Sequence, residues 1–268
     1  MDMRYFSIII SLLLISCNFS SEKKVVKLVN STSISEQEIP NIYSVKTIIY
    51  SKDSLPITVD IYEVNNKKPT ILLCHQAGFS RGEYKETVLK LMELGFSCIA
   101  IDQRSGKEVN GVVNETALAA KERNLLTSYL DAKQDIEAAI DYIYELNGHQ
   151  PILLVGSSYS ASLSLIIGNT SNKVKAIAAF SPGEYFEGIN IKESIKSINK
   201  PVFVTSSQKE TEALIKLVSL IDNQYLTHFK PNVVGIHGSR ALWSSTEGNE
   251  EYWQVFKDFL KTNKTVEK

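Results

Sequence analysis

A run of small residues with the sequence Gly-Ser-Ser-Tyr-Ser, at positions 156–160, directly follows an apolar segment at 152–155. A buried strand that turns sharply into a helix holds the central residue, Ser158, in a strained conformation with its hydroxyl above the sheet. Gly156 supplies the small neighbour that such a turn needs, whereas Ser160 stands where the pattern G-x-S-x-G has its second glycine. The pattern predicts a nucleophilic serine, although similar turns occur in doubly wound sheets without serine chemistry.

A serine hydroxyl is a weak nucleophile and requires a nearby base. His237 is the favoured candidate, because it lies in a Gly-Ile-His-Gly segment after the last predicted strand and before the last predicted helix. A loop there can return an imidazole to the carboxyl end of the sheet. His149 and His228 are less well placed, and the alternative for His237 is a surface histidine without a catalytic role.

The base in turn requires an acid that orients it. Glu210 follows a predicted strand at 201–205 and lies between the candidate serine and histidine in the chain. Nucleophile, acid and base therefore occur in that order. Glu184 and Glu212 remain alternatives, and each of the three could instead be a solvated carboxylate at a helix start.

The negative charge of a tetrahedral intermediate must be met by fixed N–H donors. The segment His-Gln-Ala-Gly at 75–78 directly follows a predicted strand at 70–74. We expect the backbone N–H of Ala77, or alternatively that of Gln76, to act with the N–H of Tyr159. His75 is better suited to bracing this loop than to acting as the base.

These residues are positioned by alternating apolar strands and helices, a pattern that predicts one doubly wound α/β domain at 41–268 with a mostly parallel sheet of about eight strands. The sequence predicts strands at 45–50, 57–62, 70–74, 96–101, 152–156, 176–180, 202–205 and 227–229. The predicted helices lie at 83–94, 129–146, 161–167, 211–221 and 250–260. The longest irregular stretch, 103–127, follows a strand end and is a candidate cleft wall; residues 117–123 within it could be helical.

From about residue 45 to 260 the chain resembles the α/β-hydrolases, particularly the dienelactone-hydrolase-like and bacterial esterase branch. The resemblance rests on the segments at 75–78, 156–160 and 237–240, and on those at 102–106 and 131–140. It implies a serine hydrolase that works through an acyl-enzyme; Glu210 stands where this branch more commonly has an aspartate as the acid. Dienelactone hydrolases proper use a cysteine nucleophile, so their lactone substrate is not implied for a chain with Ser158.

Composition narrows the possible partners. The chain has 268 residues and a formal net charge of −1, which gives no broad field that would attract nucleic acid. The sequence contains no metal-ligand cluster and no phosphate-binding glycine loop, so no cofactor is implied. Cys74 and Cys98 lie in apolar segments and are expected to be buried thiols.

The N-terminus resembles a bacterial lipoprotein signal. Residues 1–16 contain a basic flank and an apolar core too short for an ordinary membrane span, and Cys17 follows at the cleavage position. We expect a lipid on Cys17, a flexible polar tether at 17–40 and a place in the bacterial cell envelope, on the periplasmic or extracellular face. The alternative is a cleaved secretory signal in which the cysteine has no role.

The leading hypothesis is thus a membrane-tethered enzyme that hydrolyses a small ester or acyl substrate. Two alternatives remain open. One is a catalytically degenerate hydrolase domain that acts as a binding module. The other is a peptidase or acyltransferase that uses the same triad, because cleft shape rather than fold decides the acceptor.

Overall fold

The computed structural model describes residues 44–63 and 68–264. The predicted signal peptide at 1–16, the predicted tether at 17–40 and the candidate lipidation site Cys17 lie outside the described residues. Within the described ranges, every helix falls short of the length and apolar character that a membrane crossing requires.

The domain is built on an eight-stranded sheet whose spatial order is β1-β2-β4-β3-β7-β8-β9-β10. β2 pairs antiparallel with β1 and β4, and all the other pairs are parallel. Its strands are β1 (Ser44–Tyr50), β2 (Pro56–Tyr62), β3 (Thr70–Cys74), β4 (Ser97–Ile101), β7 (Ile152–Ser157), β8 (Val174–Phe180), β9 (Val202–Thr205) and β10 (Leu226–Phe229). This confirms the predicted doubly wound, mostly parallel, single-domain fold.

Helices cover both faces of the sheet and connect its parallel strands. They are α1 (Thr87–Glu93), α2 (Glu115–Glu122), α3 (Lys133–Leu146), α4 (Tyr159–Thr170), α5 (Ile191–Ser194), α6 (Thr211–Leu217) and α7 (Asn249–Thr262). Short 3₁₀ turns lie at Arg81–Tyr84, Gln208–Glu210 and Ser239–Leu242. The helix predicted at 83–94 is therefore a 3₁₀ turn followed by α1, and the helix predicted from 129 begins only at Lys133.

Two apolar cores lie on opposite faces of the sheet. One includes side chains from α3, α4 and α6, and the other includes side chains from α1 and α7. Cys74 belongs to the first core and Cys98 to the second, and both are free thiols. Their separation by the sheet excludes a disulfide between them, and burial raises the pKa of both thiols.

The stretch predicted as irregular, 103–127, contains a small hairpin, β5 (Glu108–Val109) with β6 (Val112–Val113), and the helix α2. Arg104 attaches the start of this excursion to α3. Its guanidinium contacts Asp135 at 2.7 Å and Asp53 at 2.7 Å, and its backbone N–H also donates to Asp135 at 2.9 Å. The excursion is thus fixed against the body of the domain.

Candidate active site

Ser158 lies at the junction of β7 and α4 with φ +59° and ψ −122°, in the left-handed half of backbone space that L-residues rarely adopt. Its N–H donates to the carbonyl of Phe180 at 2.8 Å, which ties the turn to β8. A Cβ at Gly156 would lie 2.4 Å from the Ser160 carbonyl oxygen and 2.6 Å from the Ala161 nitrogen. Only glycine therefore fits there without a backbone shift, and the local geometry is that of a nucleophile elbow.

Ser160, which stands in place of the second glycine of the pattern, is fully buried. Its Oγ accepts a hydrogen bond from the Ser157 N–H at 2.9 Å and lies 2.8 Å from the Cys74 carbonyl oxygen. The hydroxyl therefore bridges β7 and β3 directly beneath the elbow. The departure from glycine is accommodated because the serine side chain pairs with backbone groups there.

The structure brings Glu210 and His237 together. Glu210 Oε1 lies 2.5 Å from His237 Nδ1. The other carboxylate oxygen, Oε2, accepts hydrogen bonds from the Ser207 N–H at 3.1 Å, the Ser207 hydroxyl at 2.6 Å and the Ser181 hydroxyl at 3.0 Å. Burial alone would raise the pKa of Glu210, but the bonds from His237 and Ser207 outweigh it and lower that pKa to about 2. Glu210 is therefore an ionised partner for the imidazole.

Local sequence explains how these two side chains meet. Glu210 ends the 3₁₀ turn after β9, and it forms a reciprocal capping box with Ser207 at the start of that turn. The loop that carries His237, called the histidine loop below, is held near Glu210 by two backbone N–H donors. The Gln208 N–H donates to the Val234 carbonyl at 2.9 Å, and the Gly238 N–H donates to the Ser181 hydroxyl at 3.0 Å.

The two alternative acids have other surroundings. Glu184 accepts hydrogen bonds from the N–H groups of Ile191 at 2.7 Å and Lys192 at 3.1 Å, so it caps the start of α5. Glu212 is exposed in the first turn of α6. Neither has a hydrogen bond to His237 among the described residues.

The other described histidines have local partners or positions that separate them from the elbow. His149 is exposed and pairs with Glu145 at 2.8 Å, and His228 lies on the edge strand β10. His75 is fully buried: its Nδ1 lies 2.8 Å from the Gln76 carbonyl oxygen, and its Nε2 accepts from the Gln103 N–H at 3.0 Å. Burial lowers the pKa of His75 to about 4, so a neutral imidazole braces this loop.

The geometry separates the two candidates for the first oxyanion donor. The Gln76 N–H already donates to the Glu83 carboxylate at 2.7 Å. The backbone N–H groups of Ala77 and Tyr159 have no hydrogen-bond acceptor within the described part of the chain. The latter group is free because Tyr159 is the first residue of α4, where an N–H has no partner within the helix.

No hydrogen bond joins Ser158 to His237 among the residues that the structure describes. The two loops meet beside these residues, where the N–H of Ser239, two residues after His237, donates to the hydroxyl of Ser157, one residue before Ser158, at 2.8 Å. Catalytic hydrogen bonds are often long before substrate binds, so this arrangement is compatible with a resting site.

Sequence reasoning missed Glu83, Ser181 and Tyr185. Glu83 is a buried carboxylate, and Ser181 contacts both Glu210 and the histidine loop. The Tyr185 hydroxyl donates to the Ser181 carbonyl at 2.9 Å. None of the three lies in a motif. The one available signal was the position of Ser181 directly after a buried strand, where side chains of parallel sheets gather.

The segment at 75–78, called the oxyanion loop below, adjoins a cavity of about 650 Å³ at Gly78. Residues of the 103–127 excursion form most of the cavity wall. Tyr129 also lines it, and the Tyr129 ring stacks on that of Tyr159 with centroids 4.6 Å apart. A cleft of this size is adequate for a small organic ligand. Within the described ranges, no group of three or more His, Cys, Asp or Glu residues is placed to hold a metal ion.

No protein-family model and no curated protein matches the chain. Solved structures do match. An esterase from Pyrococcus furiosus has a TM-score of 0.67 at 17% identity, covering 89% of this chain and 99% of its own. A dienelactone hydrolase from Anabaena variabilis has a TM-score of 0.60 at 12% identity, covering 82% of this chain and 98% of its own. A Pyrococcus horikoshii acylaminoacyl peptidase reaches 0.61 at 16%, covering 84% of this chain but 42% of its own. The strand order, the elbow and these neighbours establish that the chain has the α/β-hydrolase fold.

Proposed function

We propose that this protein is a serine hydrolase that cleaves carboxylic esters through an acyl-enzyme. The observation that carries the proposal is the Glu210–His237 pair on loops that contact a strained serine elbow. The likeness to an esterase and to other hydrolases supports the same reaction class. Ser158 is the nucleophile of this proposal, His237 the base and Glu210 the acid.

In the proposed reaction, Ser158 Oγ attacks the acyl carbon while His237 Nε2 takes the hydroxyl proton. The tetrahedral oxyanion accepts hydrogen bonds from the Ala77 and Tyr159 N–H groups. The ester C–O bond then breaks, and His237 returns the proton to the departing alcohol. Water, activated by His237, attacks the acyl-enzyme and releases the carboxylic acid and free Ser158. Glu210 stays ionised throughout and orients the imidazole.

The substrate position follows from the two oxyanion donors. An acyl oxygen near Ala77 directs the rest of the substrate past Gly78, toward the cavity behind the oxyanion loop. Tyr129, whose ring stacks on the buried ring of Tyr159, offers exposed aromatic surface at that point. The arrangement favours a small acyl or alkoxy group that packs against the Tyr129 ring.

Turnover of a graded panel tests the proposal. The panel contains p-nitrophenyl acetate, butyrate and octanoate, the matched thioesters, and acyl-peptide anilides. We expect ester hydrolysis by the wild type and by Ser219→Ala, whose serine is exposed at the end of α6. We expect Ser158→Ala to lose at least about a thousandfold in kcat.

The same panel distinguishes the alternatives. A degenerate binding module would turn over none of these compounds. A peptidase, the class named for one of the structural neighbours, would prefer the anilides. An acyltransferase would release alcohol faster when a second alcohol or amine is supplied.

We also propose that Cys17 carries a lipid that anchors the enzyme in the bacterial cell envelope. The support is the position of Cys17 after an apolar signal-like segment. Growth with an alkyne-tagged palmitate should label the full chain, and Cys17→Ser should abolish labelling and move the protein from the membrane to the soluble fraction. An unlabelled wild-type chain would exclude the anchor and leave the hydrolase proposal intact.

A further inference from the structure

Glu83 is a fully buried carboxylate behind the elbow, in the 3₁₀ turn Arg81–Tyr84. Its Oε2 accepts a hydrogen bond from the Gln76 N–H at 2.7 Å. Its Oε1 accepts from the Ser157 hydroxyl at 2.7 Å and from the Ser239 hydroxyl at 2.6 Å. These three donors come from three separate segments: the oxyanion loop, the nucleophile elbow and the histidine loop.

Each donor lies within two residues of a member of the proposed catalytic machinery. Gln76 precedes Ala77, Ser157 precedes Ser158, and Ser239 follows His237 by two residues. The Ser157 hydroxyl also accepts the Ser239 N–H at 2.8 Å, so the elbow and the histidine loop are joined twice. One carboxylate therefore links the three segments that must act together.

The turn that carries Glu83 is itself anchored. The Trp243 indole N–H donates to the Glu83 carbonyl at 2.9 Å, and the Arg81 N–H donates to the Asp102 carboxylate at 2.8 Å. The carboxylate thus extends from a fixed backbone, which a positioning role requires.

The chemistry of the site explains why a carboxylate suits it. All three neighbours are placed to donate to the Glu83 carboxylate oxygens, and their bonds oppose the rise in the pKa of Glu83 that burial causes. Glu83 forms no ion pair with any described residue, so its burial is costly unless these charge-assisted bonds offset it. Apolar packing does not explain why a carboxylate without an ion-pair partner is buried here, next to the candidate nucleophile.

We propose that Glu83 is the positioning residue that fixes the oxyanion loop, the nucleophile elbow and the histidine loop relative to one another. The inference rests on the proposed serine-hydrolase function, and Glu83 acts through its three donors rather than by touching the reacting atoms. Because misplacement by about 1 Å can cost a hundredfold in rate, loss of this link lowers kcat while leaving KM nearly unchanged.

Two substitutions test the role. Glu83→Ala removes all three bonds, and we expect kcat to fall about a hundredfold with KM within about threefold of wild type. Glu83→Gln keeps the shape: its carbonyl can accept the Gln76 N–H, and its amide can donate to the two hydroxyl oxygens once these rotate. We therefore expect the glutamine variant to recover kcat to within about tenfold of wild type.

Asn147→Ala is the matched structural control. Asn147 is a buried polar residue that bonds with Gln150 before β7 begins, at the opposite end of that strand from Ser158. It should lower the melting temperature but leave kcat unchanged. Equal kcat losses in Asn147→Ala and Glu83→Ala, at matched folded fraction, would overturn the positioning role. If Glu83→Ala does not fold, Ser239→Ala, which removes a single bond, should still lower kcat, and an unchanged kcat would overturn it.

A readout independent of turnover separates this inference from the proposed function. The short His237–Glu210 bond should give a downfield imidazole N–H resonance in the proton NMR spectrum of the wild type. We expect Glu83→Ala to shift or broaden that resonance and Asn147→Ala to leave it in place. A wild type with this resonance but no turnover of any ester would reject the hydrolase proposal alone. A resonance unchanged in Glu83→Ala would reject the positioning role alone.

Discussion

The sequence left three candidates for the acid, and the structure surrounds the carboxylate of one of them, Glu210, with specific hydrogen-bond partners. It bonds His237 through one oxygen and Ser181 and Ser207 through the other. Its side chain is about a quarter exposed (28%); burial raises the pKa of Glu210, and the bonds from His237 and Ser207 outweigh that effect. The same contacts make its catalytic role testable by substitution.

Glu210→Gln should lower kcat by about a thousandfold or more, because an amide cannot stabilise the imidazolium and can hold the histidine in the wrong tautomer. Glu212→Gln is the control, since that glutamate is exposed two residues away. Steady-state kinetics on one ester measure both variants. A normal kcat in Glu210→Gln, or a loss confined to Glu212→Gln, would reassign the acid.

Among the structural elements, the junction of β7 and α4 shows how an imperfect motif can form a regular turn. Glycine is required at 156 because backbone atoms of α4 fill the space of a Cβ. Serine is tolerated at 160 because its hydroxyl pairs with backbone groups of β7 and β3. Position 156 therefore leaves no space for a side chain, whereas position 160 accepts a side chain whose hydroxyl is hydrogen-bonded.

Ser160→Ala should destabilise the fold by about 1–3 kcal/mol, because it leaves the buried Ser157 N–H without its acceptor. Ser164→Ala is a closely matched control: Ser164 is buried on the same helix, but its hydroxyl has no hydrogen-bond partner in the described structure. Urea unfolding monitored by circular dichroism gives both values. Equal effects would show that the Ser160 hydroxyl does not support the elbow.

The ion pair between Arg104 and Asp135 connects two other elements, the 103–127 excursion and α3. Both side chains are almost fully buried, with 1% and 0% exposed. Asp135→Asn should cost about 3–5 kcal/mol, because it leaves a buried guanidinium with too little negative charge. Asp141→Asn, on the exposed side of α3 and paired with Lys173, should have little effect on stability, because an exposed ion pair is screened by solvent. A small effect of Asp135→Asn would mean that the excursion is held by other contacts.

At the scale of the whole molecule, titration of the candidate site should contribute to acid stability. The pKa of Glu210 is lowered from 4.5 to about 2 on folding. Its contribution is therefore present above pH 4.5 and is lost as the pH falls from 4.5 toward 2. The difference in melting temperature between wild type and Glu210→Gln should shrink over that interval. A difference that stays constant down to pH 2 would contradict the lowered pKa.

Much of the architecture could be predicted from sequence, because parallel strands covered on both faces are continuous apolar runs. Strands at 70–74 and 202–205 were predicted with the bounds observed for β3 and β9. The helix predicted at 83–94 was wrong at its start, because residues 81–84 form a turn whose side chains are all buried. Propensity does not detect this, since tertiary contacts decide it.

The candidate site was partly predictable for a similar reason. Residues that follow parallel strands gather at one edge of the sheet, so Ser158, Glu210 and His237 could be predicted as nucleophile, acid and base in that order along the chain. The network around Glu83 could not be, because its donors Ser157 and Ser239 lie 74 and 156 residues away in the chain. Only the fold brings such polar groups together, and no local pattern records the pairing.

The central claim is that Ser158 is an activated nucleophile, and covalent labelling tests it most directly. The wild type is treated with a fluorophosphonate probe, digested and mapped by mass spectrometry, beside Ser158→Ala and Ser219→Ala. We expect one adduct, on Ser158, in the wild type and in Ser219→Ala, and none in Ser158→Ala, which keeps its native circular dichroism spectrum. An adduct that persists in the folded Ser158→Ala variant, or a wild type that takes up no probe, would contradict this claim.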